Sequence, residues 1–297
     1  MKRAGRLSAA VLGAGLIGVD LADKIMHSDV LDLGLVVGRD GANAGLRQAT
    51  RLGMPIADRG IRSLVEVDEP FDVVFDATNA VAHAEHAEQL APFGTMLVDL
   101  TPSRAGQMVV PTVNGASAVG NSDVSMVTCG GQAAIPVLHA ITCEHRVDYV
   151  EVVTTAATLS VGHGTRINLD EYVDTTQDAV RTFTGVGDVK AILNISPARP
   201  PATFRVAMSM LGSGFREDSV RDLAEGVAKE LREFVGGFVV SACSVQEERA
   251  FVAVEVMASG ERLPRYAGNL DIINSAALSV AERYADDRRS IARAEAS

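Results

Sequence analysis

Tryptophan is absent from the 297 residues, and aromatic residues make up only 4%. Ala, Val, Gly and Leu dominate instead, a composition typical of α/β proteins with aliphatic cores. Cysteine is also scarce. The three cysteines, Cys129, Cys143 and Cys243, are an odd number and form no CxxC pair. That excludes a disulfide framework and offers no zinc site, so no metal is expected. No run reaches the roughly 18 apolar residues that a membrane span needs. Basic residues are outnumbered, and the net charge is −11. An acidic chain suits neither nucleic acid nor an anionic membrane. The start, Met1 to Arg6, is basic but lacks the apolar core and cleavage site of a signal peptide. The sequence therefore predicts a cytoplasmic enzyme, and its length allows two domains.

What is present alternates. Apolar runs at Ser8–Leu12, Leu33–Gly38, Phe71–Asp76, Met96–Leu100 and Val124–Thr128 read as strands. Helix-like segments such as Gly41–Leu52 and Ala80–Leu90 separate them. Strands alternating with helices predict βαβ units and a parallel sheet. Beyond Cys129 the texture changes. Strand-like stretches at Tyr149–Ala157, Ala191–Ile195 and Ala202–Leu211 mix with amphipathic helices at Ile167–Phe183 and Ser219–Phe234. A possible hairpin follows at Gly237–Ser244 and Ala250–Met257, and Asn274–Ala296 reads as one helix. This predicts an antiparallel sheet with helices on one face. No repeat or low-complexity linker separates the halves.

Gly13-x-Gly15-x-x-Gly18 lies between a strand and a helix. Gly13 suits a tight turn, Gly15 lets backbone approach a pyrophosphate, and Gly18 permits close helix packing. The phosphate would rest on the helix N-terminus. Arg39-Asp40 ends the second strand, about where the ribose-reading residue sits. Asp suits NAD and Arg suits NADP, so both cofactors stay open. Thr78 and Asn79 follow the next strand, where they would contact a cofactor or cap the following helix. The polar loop Ser160–Asn168 suits an anion or a nucleotide edge, or is a turn with Asn168 as N-cap. Glu171 stands three residues after Asn168, at capping-box spacing. His83 and His86 share a predicted helix, but the sequence sets no Cys or Asp cluster beside them.

Cys129 sits between the apolar Met126-Val127-Thr128 and the pair Gly130-Gly131, at a strand-to-helix junction. Unpaired N–H groups and the helix dipole favour a thiolate there, and the thiolate is the nucleophile. A buried structural cysteine is the competing reading.

Six segments in order resemble the CoA-acylating acetaldehyde dehydrogenase family, which partners 4-hydroxy-2-oxovalerate aldolase in aromatic meta-cleavage pathways. They are Gly13–Gly18, Asp76-Ala77-Thr78, Asp99–Pro102, Met126–Pro136, Gly162-x-Gly164-Thr165-Arg166 and Tyr266–Ile272. The resemblance implies that Cys129 is the acyl-thioester nucleophile. It implies nicotinamide-cofactor contacts from Ala14, Gly15, Leu16 and Ile17. Further contacts would come from Ser160, Val161, Gly162, His163, Gly164, Thr165, Arg166, Ile167 and Asn168, and from Asn269. The reaction implied is aldehyde, CoA and NAD(P)+ to acyl-CoA and NAD(P)H, with NAD as cofactor and NADP open. N–H groups after Cys129 would stabilise the oxyanion. The implied architecture is a dinucleotide-binding domain over residues 1–128 and a catalytic and oligomerisation domain over 129–273. A C-terminal helix over 274–297 would return to the first, in a homo-oligomer.

The chain departs from that family at four places. Val206 stands where the family has Asp, and His163 where it has Pro, so His163 is the expected catalytic base. The stretch Gly236–Gly260 is shorter, which weakens the expectation of an aldolase partner. Arg39 has no counterpart, which directs attention to NADP. Two further readings remain open: a dehydrogenase using water or phosphate as acyl acceptor, and a silent cofactor-binding subunit.

Overall fold

The computed structural model describes residues 5–118, 120–260 and 262–295. The basic residues Met1–Ala4 and the expected helix end at Ala296 and Ser297 lie outside them. The chain forms two compact units, residues 1–126 with 274–297, and residues 127–273. The break thus falls two residues before Cys129.

The first unit opens on β1 (Leu7–Leu12), almost wholly buried, as expected of a strand covered on both faces. The glycine turn leads into α1 (Leu16–Met26), then β2 (Leu31–Val37), α2 (Ala44–Arg51), β3 (Ile56–Ala57) and α3 (Arg62–Val65). Asn43 starts α2 by accepting the N–H groups of Gly45 and Leu46 at 2.7 and 3.3 Å. Next come β4 (Val73–Asp76), α4 (Ala80–Leu90), β5 (Met96–Asp99), β6 (Gln107–Met108), α5 (Pro111–Asn114) and β7 (Asp123–Ser125). The seven strands pair in parallel in the order β3-β2-β1-β4-β5-β7-β6. Ala10, Leu12, Val37, Val74 and Leu97 from four of these strands pack with Leu64 and Leu90 of the helices. The C-terminal segment also belongs to this unit. Asn274 Nδ2 donates to Asp20 at 2.7 Å, and Ser28 donates to Glu282 at 2.6 Å.

The second unit begins with α6 (Cys129–Glu144) and β8 (Arg146–Ala157), followed by α7 (His163–Ile167), α8 (Leu169–Thr184) and β9 (Asp188–Ser196). Then follow β10 (Phe204–Ser213), α9 (Glu217–Leu231), β11 (Phe238–Gln246) and β12 (Arg249–Val256). The sheet runs β11-β12-β10-β8-β9. It is not wholly antiparallel as expected, because β8 and β9 pair in parallel. The reason is the connection: two helices separate β8 from β9, a crossover that returns the chain in the same direction. Along β10, Phe204, Val206, Met208 and Met210 are buried while Arg205 and Leu211 are exposed, so only one face is covered. The final helix, α10 (Gly268–Glu295), starts six residues earlier than the sequence predicts and runs from this unit into the first.

Candidate active site

In the second unit the chain enters the site through Val127, a β-branched residue at φ 61°. That left-handed conformation is strained for valine and concentrates at functional turns. The expected fifth strand accordingly stops at Ser125 rather than Thr128. Thr128 then caps α6, its Oγ1 accepting the Gly131 N–H at 2.9 Å. The same hydroxyl lies 2.9 Å from Thr176 Oγ1, which itself donates to the Tyr172 carbonyl at 2.7 Å. Thr176's proton is therefore spent, and Thr128 donates to it. The cap ties α6 to α8.

Cys129 is the first residue of α6, half-buried and free of any disulfide. Its Sγ lies 3.4 Å from the Tyr172 hydroxyl, which accepts the Gly130 N–H at 3.0 Å. The glycine pair is dictated by this packing. A Cβ on Gly130 would stand 2.3 Å from Thr154 Oγ1 and 2.6 Å from the Tyr172 oxygen. One on Gly131 would stand 2.8 Å from Val127 Cγ1. Burial pushes the Cys129 thiol above its ordinary value, while the Tyr172 hydroxyl and first-turn N–H groups pull it down. The helix terminus alone does not decide the balance. The expectation that N–H groups after Cys129 form the oxyanion hole also changes. Those of Gly130 and Gly131 are already bonded, to Tyr172 and Thr128.

The loop Ser160–Asn168 is held by its own backbone. Ser160 donates to the Ala157 carbonyl at 3.0 Å. Arg166 donates through Nε to the Val161 carbonyl at 3.2 Å and through Nη2 to the Thr158 carbonyl at 2.8 Å. Gly162 starts α7, His163 is exposed on its first turn, and Ile167 is exposed at its end. Asn168 precedes α8, but its side chain does not cap it. Its Nδ2 instead donates back to the Gly164 carbonyl at 2.6 Å, so the expected capping box does not form. Asn269 donates to the Ser160 carbonyl at 2.8 Å, and its Oδ1 is buried without a partner. An orphaned buried acceptor is costly unless a ligand satisfies it. Val206 is buried in β10 directly opposite Thr154.

In the first unit, Gly13 adopts φ 114°, and a Cβ there would meet the Ala77 carbonyl oxygen at 2.5 Å. Gly18 packs as tightly on Gly13, with 1.8 Å from a Cβ to the Gly13 carbonyl oxygen. Gly15 differs: a Cβ would find nothing within 4 Å. It starts α1 without a side-chain cap, beside the exposed Leu16. Ala14 is buried, and the Ile17 carbonyl accepts from Asn274 at 3.1 Å. Open space over uncapped helix N–H groups is the cradle a pyrophosphate requires. Arg39 is exposed just past β2, and Asp40 accepts the Ala42 N–H at 2.8 Å. Thr78 is turned inward, donating its N–H and hydroxyl to Asp76 Oδ1 at 3.0 and 2.5 Å. Asn79 caps α4.

His83 and His86 do have a carboxylate cluster beside them, contrary to the sequence reading. His83 is buried 3.0 Å from Asp76, 3.5 Å from Asp99 and 3.4 Å from Asp123. His86 lies 2.8 Å from Asp76. Burial opposes the charge on His83, but the bonds to Asp123 and Asp76 and the Asp99 charge raise it to about 10. Burial raises Asp76 too, yet His83 and His86 outweigh it and hold the carboxyl at about 2. Burial lifts Asp99 to about 7. Among the described residues no His, Cys, Asp or Glu group is arranged to hold a metal. No described helix is long and apolar enough to cross a membrane.

Sequence reasoning missed Tyr172 and Thr154. The available signal was the glycine pair after Cys129, which announces a close neighbour without naming it.

Residues 129–264 match the family model described as prokaryotic acetaldehyde dehydrogenase, dimerisation. An acetaldehyde dehydrogenase of Streptomyces griseus is 48% identical over 278 residues, 94% of this chain and 90% of that one. That of Pectobacterium atrosepticum is 40% identical, covering 93% and 95%, and that of Bacillus cereus 37%, covering 94% and 94%. Aspartate semialdehyde dehydrogenase II of Vibrio cholerae shares the fold, with a TM-score of 0.67 at 13% identity over 93% of this chain and 97% of that one. The chain belongs to the acetaldehyde dehydrogenase family and is an aldehyde dehydrogenase, an oxidoreductase.

Proposed function

We propose that the protein is a CoA-acylating acetaldehyde dehydrogenase that uses NAD(P) and a thioester on Cys129. The observation that carries the reading is the half-buried thiol at the start of α6, held against a phenol hydroxyl. The Cys129 thiolate adds to the aldehyde carbon, and the carbonyl oxygen takes a proton to give a thiohemiacetal. When bound, the nicotinamide would supply the hydride acceptor that, together with loss of the hydroxyl proton to a base, turns this adduct into a thioester. The thiol of CoA then attacks the thioester carbon, and Cys129 leaves as thiolate. Each thiol must lose its proton before it adds, and His163, exposed on the first turn of α7, is the imidazole assigned as its base.

The residues present fit a dinucleotide. Gly13, Ala14, Gly15, Leu16, Ile17 and Gly18 would hold the pyrophosphate over the open space at Gly15. The unpartnered Asn269 Oδ1 would accept a carboxamide N–H, with Ser160–Asn168 shaping its surroundings. Thr78 would act by fixing the loop under Gly13 rather than through a free hydroxyl. Arg39 is exposed while Asp40 is engaged in its own turn, which supports testing NADP beside NAD.

The uncovered face of the second unit's sheet supports a homo-oligomer. It carries a groove of about 420 Å³ lined by Tyr149, Ser209, Leu211, Arg249 and Phe251. Three free cysteines suit the reducing cytoplasm. Activity is expected without an aldolase partner, and acetaldehyde would reach the enzyme from an aldehyde-releasing step of aromatic catabolism. The test is acetaldehyde with NAD or NADP, followed at the nicotinamide absorbance with CoA, phosphate or no added acceptor. CoA-dependent turnover supports the reading. Equal rates with phosphate or water would replace it with the acid- or acyl-phosphate-forming reaction. No nicotinamide reduction with any acceptor and no acyl adduct on Cys129 would leave a silent cofactor-binding subunit.

A further inference from the structure

We infer that the Tyr172 hydroxyl is the hydrogen-bond donor that holds the Cys129 thiolate, with the Gly130 N–H setting the direction of its proton. A phenol oxygen accepts two hydrogen bonds and donates one. The Gly130 N–H can only donate, and it reaches the Tyr172 oxygen at 3.0 Å. The Thr154 hydroxyl lies on the same side, both oxygens flanking the space that a Cβ on Gly130 would fill. With that N–H directed at the oxygen, the phenol proton is left for Cys129 Sγ, 3.4 Å away. A thiolate carries no proton, so once Cys129 ionises only Tyr172 can donate across that contact.

The surroundings favour a fixed donor. Thr154 and Tyr172 are buried, and Gly130 lacks the Cβ that would push both away. Val206 lies opposite Thr154 across the β10–β8 ladder and presents no carboxylate to compete for the phenol proton. Burial and the neighbouring sulfur push the phenol well above its ordinary range, so it stays protonated at working pH. It positions and stabilises the thiolate and does not act as the base.

This inference deepens the proposed thioester reading and rests on it for its catalytic meaning, but the test does not need turnover. The full-length protein and Tyr172→Phe are alkylated with iodoacetamide across pH, and each cysteine is followed by peptide mass spectrometry. A hydrogen bond to a charged group is worth one to two pH units. The Cys129 midpoint is therefore expected to rise by about that amount, while the exposed Cys143 is unmoved. Turnover should fall with kcat, and its pH profile should move in parallel. An unshifted Cys129 midpoint in a folded Tyr172→Phe protein overturns the inference, even if CoA-dependent activity is present. If Tyr172→Phe does not fold, Tyr172→3-fluorotyrosine carries the test: its stronger donor should lower the Cys129 midpoint, and an unmoved midpoint overturns the inference. Absence of aldehyde oxidation in the wild type with a shifted midpoint in Tyr172→Phe would refute the functional reading and leave the donor assignment standing.

Discussion

Each unit buries a polar cluster of its own, and the two are built on opposite principles. The first gathers two imidazoles and three carboxylates around His83, with charge meeting charge. The second gathers hydroxyls around one sulfur: Tyr172 and Thr154 beside Cys129, Thr128 and Thr176 behind it. A buried charge cluster is costly to form and costlier to break, because removing one member leaves others uncompensated. It suits a site that must not change state. A neutral hydroxyl cluster costs little until its central thiol ionises, and then the Tyr172 hydroxyl it holds favours the anion. The contrast separates a rigid sheet end from a site where charge is made during the reaction.

The largest expected effect is at the thiol. Cys129→Ser should cut turnover by about a thousandfold or more and abolish the acyl adduct, as measured by steady-state rate and intact mass. The charged cluster should answer in stability instead. His83→Leu strands Asp76 and Asp99 in a buried setting and should cost about 3–5 kcal/mol in denaturant unfolding. Cys129 alkylation in the surviving folded protein should keep its wild-type pH profile. If that profile moved with His83→Leu, the two clusters would not be independent.

Gly130→Ala sharpens the contrast from the other side. The added methyl meets Thr154 and Tyr172 at 2.3 and 2.6 Å, so overpacking of about 1–3 kcal/mol is expected. The Tyr172 hydroxyl must also leave Sγ, and turnover should fall well beyond what the loss of stability explains. Comparing unfolding midpoints with kcat checks this.

The smallest effects are those of pH on stability. His83 is raised to about 10, so its contribution is full below its ordinary 6.5 and is lost as pH rises through 10. Asp99, raised to about 7, acts in the same direction, losing its contribution as pH climbs from its ordinary 3.8 through 7. Asp76 is lowered to about 2, so its contribution is full above 3.8 and lost as pH falls through 2. Thermal melts should show a decline above neutrality that is flatter in His83→Gln, and a separate decline on acidification.

The parts legible in the sequence were those dictated by single positions. Gly13, Gly15 and Gly18 announce their turn because only glycine fits at two of them and open space lies over the third. Asn79 starts a helix through its own side chain, one of the two roles its place after the strand offers. The parts that stayed hidden depend on distant residues meeting. Tyr172 lies 43 residues from Cys129, on a helix where a tyrosine reads as core. Asp76 and Asp99 end the paired strands β4 and β5 and Asp123 opens β7 beside β5, so the three reach His83 only through the parallel sheet. The parallel pairing of β8 and β9 was likewise fixed by their connection, not by alternation within either strand. Asn168 has the spacing of a capping box, but a backbone carbonyl four residues back takes its side chain.

The most direct test of the account is mass spectrometry of the protein after acetaldehyde and NAD(P)+ are added without CoA. One acetyl group on the peptide bearing Cys129, released as acetyl-CoA when CoA is added and absent in Cys129→Ser, is the predicted result. Nicotinamide reduction with no adduct on that peptide, or an adduct that CoA leaves in place, would contradict it.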